Sequence, residues 1–378
     1  MKLSSRPVRE TFLSFQPPAV GEEEAAAVAE TIRSGWLTSG PRAAELERRF
    51  ADYVGATHVL ALSSGTSALH LSLLALGVGP GDEVITTPIT WPATANVIVH
   101  AGARPVFADV RGDDLNVDPQ QVAALVGPRT KAIVPVHLAG QPCDLEGLWA
   151  LGVPVVEDAA HAAEASYRGR KIGALSDATC FSLYATKSIA AGEGGLVATD
   201  RDDVARAIDD LRLMRRGDGA LYDIAVPGYK ANLSDVLATI ALCQLDKVER
   251  HRAIRARHVE AYDAAVASLD GIEPLARDPR DTHALHLYVV RIDPSRAGGT
   301  RDEYRRLLSE ENIGTSIHFL PVHRLAAYRE RVPDQPSLPV AEQAGAQVLS
   351  LPLSAAHPDE DIADAISALQ FVHSRLTA

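Results

Sequence analysis

Two residues with reactive side chains follow short apolar segments of the sequence. Asp158 ends the run VPVVED, and a carboxylate at the carboxyl end of a buried parallel strand lies where ligands bind in α/β folds. Its position is equally compatible with a helix N-cap before AAHAA. Lys187 lies in FSLYATKSIAAGEGG, whose nearly uncharged flanks are unusual around a solvated surface lysine. A desolvated lysine has a lowered pKa and becomes a nucleophile towards carbonyl groups.

Two further segments are suited to a flat, phosphorylated ligand. SSGTSALH at 63–70 places small residues at a helix N-terminus, where free N–H groups bind phosphate, although an ordinary capped helix is the more usual explanation. Trp91, in TTPITWPATAN, would either stack on a flat ring or lie in the core. A nucleophilic lysine, a carboxylate, an aromatic plate and a phosphate cup are together what pyridoxal phosphate requires.

An alternation of strand-sized and helix-sized segments must position these residues. Up to Asp158 this alternation is typical of a mainly parallel sheet covered by helices, the α/β class. Two short strands close in sequence then indicate a hairpin-like return. The predicted strands are 58–63, 83–87, 104–110, 131–138, 153–158, 177–184 and 194–200, and the predicted helices are 66–77, 93–102, 118–126 and 144–152.

The second half of the sequence predicts a smaller domain. A long helical segment, 232–269, leads out of the first domain, and its second half is highly charged. The segments beyond it predict a strand, a helix, a strand and a helix, at 283–292, 301–311, 315–320 and 358–376. We therefore predict a large α/β domain with an N-terminal arm over residues 1–245 and a small C-terminal α+β domain over residues 246–378.

Composition and missing motifs disfavour several classes of protein. The chain is 46% hydrophobic and 23% charged, as in ordinary globular proteins, and its net charge of −12 disfavours nucleic-acid partners, which are bound through basic residues. Three scattered cysteines without a CxxC pair predict neither disulfides nor a zinc site. The absence of an apolar leader and of a membrane-length apolar run predicts a cytoplasmic protein without a membrane partner. Motifs typical of nucleoside-triphosphate, zinc-protease, serine-hydrolase and dinucleotide sites are missing.

A set of segments, in order along the chain, carries a family resemblance that no single motif provides. They are SGTSALHLSLLALGVGPGDEVITTP, ATANVIVHAGARPVFADV, RTKAIVPVHLAGQPCDLEGL, VVEDAAHA, FSLYATK followed by GEGGLVATD, GYKANLSDVLATIALCQLDKVE, and NIGTSIHFLPVH. From Pro18 to the C-terminus, the sequence resembles the DegT-type sugar aminotransferases, a fold-type-I pyridoxal-phosphate family. The resemblance implies a mainly parallel seven-stranded sheet sandwiched by helices, followed by a smaller α+β domain.

The resemblance also implies roles for residues at matching positions. Lys187 would be the Schiff-base lysine and would carry the proton between cofactor and substrate carbons, and Asp158 would bind the pyridine nitrogen. The other cofactor contacts would be Gly65, Thr66 and Ser182 at the phosphate, Trp91 on the pyridine face, His161 near the ring hydroxyl, and Asn232 at the phosphate in the neighbouring subunit. Lys230 would line that shared site of a homodimer, and Glu193, His318 and His323 would lie near the sugar nucleotide.

Local departures from the family pattern bear on the substrate. SIAAGEGG after Lys187 and EDAAHA around Asp158 favour amination at C4 of a nucleotide-linked 4-keto sugar, with L-glutamate as amino donor, over amination at C3. Ala231 stands where the family often has an aromatic residue. Abundant Ala and Arg are typical of a GC-rich genome, which favours an antibiotic deoxysugar pathway. Such a pathway favours dTDP-4-keto-6-deoxyglucose as the substrate. A UDP-linked 4-keto pentose or hexose and a C3-keto sugar stay open as alternatives.

Three other interpretations are disfavoured by particular residues. A sugar dehydratase of the same family has histidine where this chain has Lys187. A non-enzymatic sugar-nucleotide sensor or regulator should have lost Lys187 or Asp158, and both are present. His318 and His323 have no third ligand at a matching spacing, so no metal site is predicted.

Overall fold

The region before residue 215 supplies nine strands and seven α-helices in the computed structural model, which describes residues 7–214, 224, 226–332 and 334–378. The strands are β1 (His58–Leu62), β2 (Glu83–Thr86), β3 (Arg104–Phe107), β4 (Thr130–Val134), β5 (Val156–Asp158), β6 (Ser166–Tyr167), β7 (Arg170–Lys171), β8 (Ala178–Ser182) and β9 (Gly195–Thr199). The helices are α1 (Glu22–Ser34), α2 (Pro41–Val54), α3 (Gly65–Ala75), α4 (Ala93–His100), α5 (Pro119–Leu125), α6 (Leu145–Trp149) and α7 (Asp202–Leu213).

Seven of these strands form one sheet in the order β1-β9-β8-β5-β4-β2-β3. Among them β9 runs antiparallel to its neighbours β1 and β8, whereas the other neighbours are parallel. The regular ladder is interrupted between β5 and β4, where two parallel backbone bridges, Ile133 to Val155 and Val136 to Asp158, make the join. The predicted mainly parallel seven-stranded sheet is confirmed, and β8 with β9 is the predicted hairpin-like return.

The C-terminal region is a smaller α+β unit that begins with one long helix. Helix α8 (Asp235–Val266) runs uninterrupted through residue 245, so the boundary placed there stays a prediction. Strands β10 (Ile272–Pro274), β11 (Tyr288–Ile292) and β12 (Val348–Leu351) form an antiparallel sheet in that order. The remaining helices are α9 (Pro294–Ala297), α10 (Arg301–Glu310), α11 (Ala326–Arg329), α12 (Pro339–Gln347) and α13 (Asp359–Thr377).

Apolar residues on both faces of the large sheet explain its position between helices. Leu69 of α3, Val97 of α4 and Ile208 of α7 are buried in one cluster on the sheet. Phe50 of α2 and Ala241 of α8 are buried in the cluster on the other face. Strands covered on both faces need apolar residues at nearly every position. This requirement accounts for the continuous apolar runs in the sequence.

A further apolar cluster joins the two regions and carries part of the C-terminal region to the site. Ile89 and Phe107 of the large region pack with Phe319 and Val322 in this cluster. The segment 315–320, predicted as a strand, makes only the single bridge from Ser316 among the described residues, because the chain turns there towards the large sheet. None of the helices that the structure describes is both long and apolar enough to cross a membrane.

Candidate active site

The carboxyl end of β5 and the loop between β8 and β9 bring Asp158 and Lys187 together. Asp158 is the last residue of β5 and is 6% exposed. The loop is closed by a backbone bridge from Tyr184 to Gly192, and Gly192 has a φ of 87°, a region that favours glycine. The Lys187 N–H donates to the Tyr184 carbonyl at 2.8 Å. Lys187 and Asp158 are close enough for each charge to act on the pKa of the other group.

Asp158 is a buried carboxylate held by neutral donors. The Thr94 hydroxyl donates to Oδ2 at 2.8 Å, and the Ala160 N–H donates to Oδ1 at 3.1 Å, so Asp158 also caps the following turn as one sequence interpretation proposed. Burial raises the pKa of Asp158, while the hydrogen bonds and Lys187 act in the opposite direction. Asp158 forms no ion pair within 4 Å among the described residues. A buried carboxylate in this state is suited to a protonated ring nitrogen.

Lys187 has the surroundings of a nucleophilic amine. Burial lowers its pKa to about 8, and the nearby Asp158 carboxylate partly opposes that shift. In the described part of the chain its amine has no hydrogen-bond or ion-pair partner. A substantial fraction of Lys187 is therefore neutral near pH 8, and the neutral amine is the form that attacks carbonyl carbon.

The protonation of Lys187 leads to a first prediction. Cofactor-free protein, treated with trace acetic anhydride at graded pH, should show half-maximal acetylation of Lys187 near pH 8. Free Nα-acetyl-lysine in the same tube should reach half-maximal acetylation near pH 10.5, the ordinary pKa of a lysine amine. Peptide mass spectrometry measures both profiles. If the pH of half-maximal acetylation (the half-point) of Lys187 coincided with that of the free reference amine, a desolvated Lys187 would be contradicted.

The N-terminus of α3 forms a narrow cup with the neighbouring strand ends. Ser64 caps the helix by accepting the Ser67 N–H at 3.0 Å, and the N–H groups of Gly65 and Thr66 have no partner among the described residues. A Cβ atom on Gly65 would lie 3.0 Å from the Ser182 Cβ. The free N–H groups and the Ser182 hydroxyl therefore lie together, as phosphate binding requires.

Gly195 lets β9 pack closely against the first turn of α3, and replacing it should displace the N–H groups of this cup. A Cβ atom on Gly195 would lie 2.3 Å from the Ser64 carbonyl oxygen and 2.6 Å from the Gly65 nitrogen, so Gly195→Ala must displace the first turn of α3. We expect the free energy of unfolding to fall by about 1–3 kcal/mol. Loss of one or two phosphate hydrogen bonds should weaken pyridoxal phosphate binding by roughly 10- to 100-fold.

The matched control for this change is Gly79→Ala. A Cβ atom on Gly79 has no neighbour within 4 Å, so this variant should retain both stability and affinity. Urea unfolding and fluorescence titration of cofactor-free protein with pyridoxal phosphate provide the two measurements. Equal affinity of the Gly195→Ala and Gly79→Ala variants would contradict a phosphate site at α3.

A group of aromatic rings lies beside Lys187. The His161 ring lies 4.5 Å from the His286 ring and is nearly parallel to the Phe319 ring at 6.0 Å. Burial, and then the Lys187 charge, lower the pKa of His161 and of His286 well below the ordinary value, so both imidazoles are neutral at pH 7. The His161 Nδ1 atom is buried without a partner among the described residues, which leaves it available to a ligand hydroxyl.

Trp91 covers the same part of the site from the loop before α4. Its ring lies 6.5 Å from Phe319, yet the residue is 65% exposed, which excludes the interpretation of Trp91 as a core residue. An exposed indole next to buried rings is suited to stacking on a flat ligand. Its cofactor contact stays a prediction.

The structure separates the two histidines of SIHFLPVH. His318 accepts or donates a hydrogen bond with Ser350 at 2.8 Å, and burial followed by the Lys187 charge lowers its pKa to about 3, which places it near the lysine. His323 instead contacts Glu342 at 3.3 Å. Glu193 lies exposed in the loop between β8 and β9 that carries Lys187. Their substrate contacts stay predictions.

Lys230 and Asn232 lie beside the end of β1. Asn232 forms a backbone bridge with Leu62, and its amide donates to the Ser39 hydroxyl at 2.6 Å. The Lys230 amine donates to the Asn232 amide oxygen. Their contacts with the site of a neighbouring subunit stay predictions.

Sequence reasoning did not find His286 or Arg255. His286 is 2% exposed and contacts His161, and the buried Arg255 donates to Glu164 at 2.5 Å. Both belong to segments far in sequence from Lys187. The only signal for His286 was a histidine within an apolar strand-like segment, which is more often a satisfied core residue.

The residues present fit pyridoxal phosphate on several independent observations. Asp158 is a buried carboxylate without a cationic ion-pair partner in the described chain, and the first turn of α3 has unused N–H groups. His161 has a buried nitrogen without a partner there, and Lys187 is desolvated. Together with the seven-stranded sheet, this site defines a fold-type-I pyridoxal-phosphate enzyme.

Comparison with known proteins identifies the family. The model of the DegT/DnrJ/EryC1/StrS aminotransferase family matches residues 18–370, and the chain belongs to that family. It is 43% identical over 379 residues to the spore coat polysaccharide biosynthesis protein SpsC of Bacillus subtilis, covering 96% of this chain and 97% of that protein.

Solved structures agree with this assignment. Spr1654 from Streptococcus pneumoniae in its PLP-form has a TM-score of 0.90 and 31% identity, covering 97% of this chain and 99% of that chain. DesI, solved in the presence of its TDP-sugar product, has a TM-score of 0.89 and 33% identity, covering 97% and 94%. The protein is a pyridoxal-phosphate-dependent sugar aminotransferase, and the alternative of a non-enzymatic sensor is not supported.

Proposed function

We propose that the protein transfers the amino group of L-glutamate to the C4 keto group of a nucleotide-linked 4-keto sugar, with dTDP-4-keto-6-deoxyglucose as the favoured substrate. The desolvated Lys187 beside the buried Asp158 is the observation that carries the transfer chemistry. The segments SIAAGEGG and EDAAHA favour C4. The TDP-sugar product of DesI, a similar protein, supports the thymidine-linked nucleotide.

Bound pyridoxal phosphate supplies an electron sink that makes the α-proton of the amino donor removable. Neutral Lys187 accepts that proton at Nζ in the first half-reaction and delivers a proton to C4 of the sugar in the second. Asp158 would hold the proton on the pyridine nitrogen, and the N–H groups of Gly65 and Thr66 would bind the phosphate. The balanced outcome is that glutamate and keto sugar become 2-oxoglutarate and amino sugar. One lysine thus serves as base and then as acid.

A second candidate substrate class is a UDP-linked 4-keto pentose or hexose. The 43% identity to SpsC, a protein of spore coat polysaccharide biosynthesis, supports a sugar destined for a surface polysaccharide over an antibiotic. Amination at C3 is the remaining alternative for the position on the sugar. These substrates differ in the base of the nucleotide or in the position of the carbonyl, so direct comparison distinguishes them.

We also propose that the working enzyme is a cytoplasmic homodimer in which Asn232 and Lys230 complete the partner's site. Large apolar side chains around the site are exposed, among them Trp91, Tyr184 and Leu320 at 65%, 48% and 49%. Exposed apolar groups of this size favour burial against a second copy. Mixing inactive Lys187→Met and Asn232→Asp chains should restore activity in the heterodimer, because one intact shared site then forms. Mixed dimers without activity would contradict the sharing.

The decisive experiment is absorbance spectroscopy of the cofactor-loaded protein. The yellow band should bleach on addition of L-glutamate and return only with the true keto sugar. Parallel additions of dTDP-4-keto-6-deoxyglucose, a UDP-4-keto sugar and a 3-keto isomer identify the nucleotide and the position, and mass spectrometry identifies the amino sugar. A band that returns with the 3-keto isomer alone would overturn the C4 proposal.

A further inference from the structure

Arg255 of α8 makes an unusual number of buried hydrogen bonds. It is 4% exposed. Its Nη2 group donates to Glu164 Oε1 at 2.5 Å and to the Ala284 carbonyl at 3.1 Å, and its Nε group donates to the Leu285 carbonyl at 2.8 Å. A longer contact of 3.5 Å joins Nη2 to the Ser188 hydroxyl. The planar guanidinium fixes these partners in one geometry.

The partners of Arg255 belong to three segments that carry side chains of the site. Glu164 lies in the turn that follows Asp158 and contains His161. Ser188 directly follows Lys187, and Leu285 directly precedes His286. One side chain therefore connects α8 to the lysine loop and to both histidine segments.

These segments also line a small polar cavity beside the lysine. Lys187, Ser188, Arg255 and His286 are among its lining residues. Displacement of the lysine loop would widen this cavity. More water would then reach the Lys187 amine, whose pKa is lowered first of all by burial.

The ion pair itself is poorly explained by stability. Glu164 is fully buried, and its Oε2 atom has no partner among the described residues. Burying two charges carries a desolvation cost that can exceed their attraction, so an apolar pair of similar size often folds as well or better. A buried pair with incomplete hydrogen bonding is better explained by the geometry that it imposes.

We propose that Arg255, anchored by Glu164, is a positioning residue that holds the lysine loop against the His161 and His286 segments and limits the access of water to the Lys187 amine. This inference rests on the proposed role of Lys187 and extends it to two residues that contact neither reactant. Arg255 acts through Ser188 and the backbone of the 284–285 segment.

The test is the acetylation profile of Lys187 in cofactor-free variants. In Arg255→Met and Glu164→Gln the half-point should move upward from about pH 8 by one pH unit or more, towards 10.5. A purely electrostatic effect predicts opposite shifts, because one variant loses a positive charge and the other a negative charge. Positioning predicts an upward shift in both. An unchanged half-point, or opposite shifts, would overturn the proposal.

Arg252→Met is the matched control. Arg252 lies one turn earlier on α8 and its Nε donates to the His283 carbonyl at 3.1 Å, but it reaches neither Glu164 nor Ser188. This variant should keep the wild-type profile. If Arg255→Met fails to fold, Arg255→Lys replaces it and should give an intermediate upward shift. A melting temperature that falls without any shift would assign Arg255 a structural role only.

The acetylation profile of Lys187 also tests this inference independently of the proposed substrate. Acetylation is measured without cofactor, glutamate or sugar, so an error in the substrate leaves it unaffected. In the loaded enzyme, Arg255→Met should lower kcat of the glutamate half-reaction by about 10-fold or more, since proton transfer requires an aligned amine. Arg252→Met should leave kcat unchanged.

Discussion

Replacing Lys187 with methionine is expected to lower the rate of the glutamate half-reaction by roughly 1,000-fold or more. The change removes the nucleophile and also the group that moves the proton, and each contributes a large part of the catalysis. Methionine has similar length and suits the half-buried position, so the protein should fold. Stopped-flow absorbance after addition of glutamate measures the rate. Borohydride reduction and intact mass should show covalent cofactor in the wild type only.

The matched control for this variant is Lys131→Met. Lys131 is a half-buried residue near the start of β4, whereas Asp158 ends the neighbouring parallel strand β5, so Lys131 lies at the opposite edge of the sheet. This variant should therefore retain wild-type kcat. A Lys187→Met enzyme within tenfold of the wild type would require another base and would contradict the proposed site.

Replacing Asp158 with asparagine is expected to lower kcat by roughly 100- to 1,000-fold, the range typical of losing one electrostatic group at a reacting centre. Asparagine keeps the size of the side chain and can still accept from Thr94, but it cannot stabilise a positive charge on the pyridine ring. The loss should therefore appear in kcat more than in cofactor affinity. Steady-state kinetics and titration of cofactor-free protein with pyridoxal phosphate measure the two effects.

The same variant has a second readout in cofactor-free protein. Asp158 raises the pKa of Lys187, so Asp158→Asn should move the Lys187 acetylation half-point below pH 8. The carboxyl of Asp158 has a raised pKa, so its ionised form disfavours folding at pH 7, and the variant's melting temperature should be no lower than that of the wild type.

Asp177→Asn is the matched control for that variant. Asp177 precedes β8 at the other end of the sheet and pairs with Arg201 at 2.6 Å. Its replacement should leave kcat and the Lys187 profile unchanged. If Asp158→Asn retained full kcat, the assignment of Asp158 to the pyridine nitrogen would be wrong.

Local sequence predicted the residues at the centre of this site for physical reasons. Parallel strands end at the same edge of a sheet, so an acid that closes an apolar run lies where ligands bind, as Asp158 does. The uncharged flanks of Lys187 already indicated a desolvated amine. The ordered family motifs predicted the seven-stranded sheet, the family and the cofactor, which the fold and the comparisons confirm.

The charge pattern of α8 did not show which of its charged residues are buried. The second half of the helix is highly charged, and within it Arg255 is buried and bonded to Glu164. A charge is buried only where distant segments supply its partner, and those partners lie 91 residues away for Glu164 and about 30 for the 284–285 carbonyls. No local window of sequence contains that information.

The sequence by itself determined the class of fold, the cofactor chemistry and the two central residues of the site, Asp158 and Lys187. Each of these depends on a local pattern or an ordered set of motifs. Tertiary structure alone decided which histidines approach Lys187. His318 and His323 share one motif, but the turn between them directs the first towards the lysine and the second towards Glu342. Tertiary structure also placed His286 against His161 and Arg255 behind the lysine loop, since packing between segments far apart in the chain sets these contacts.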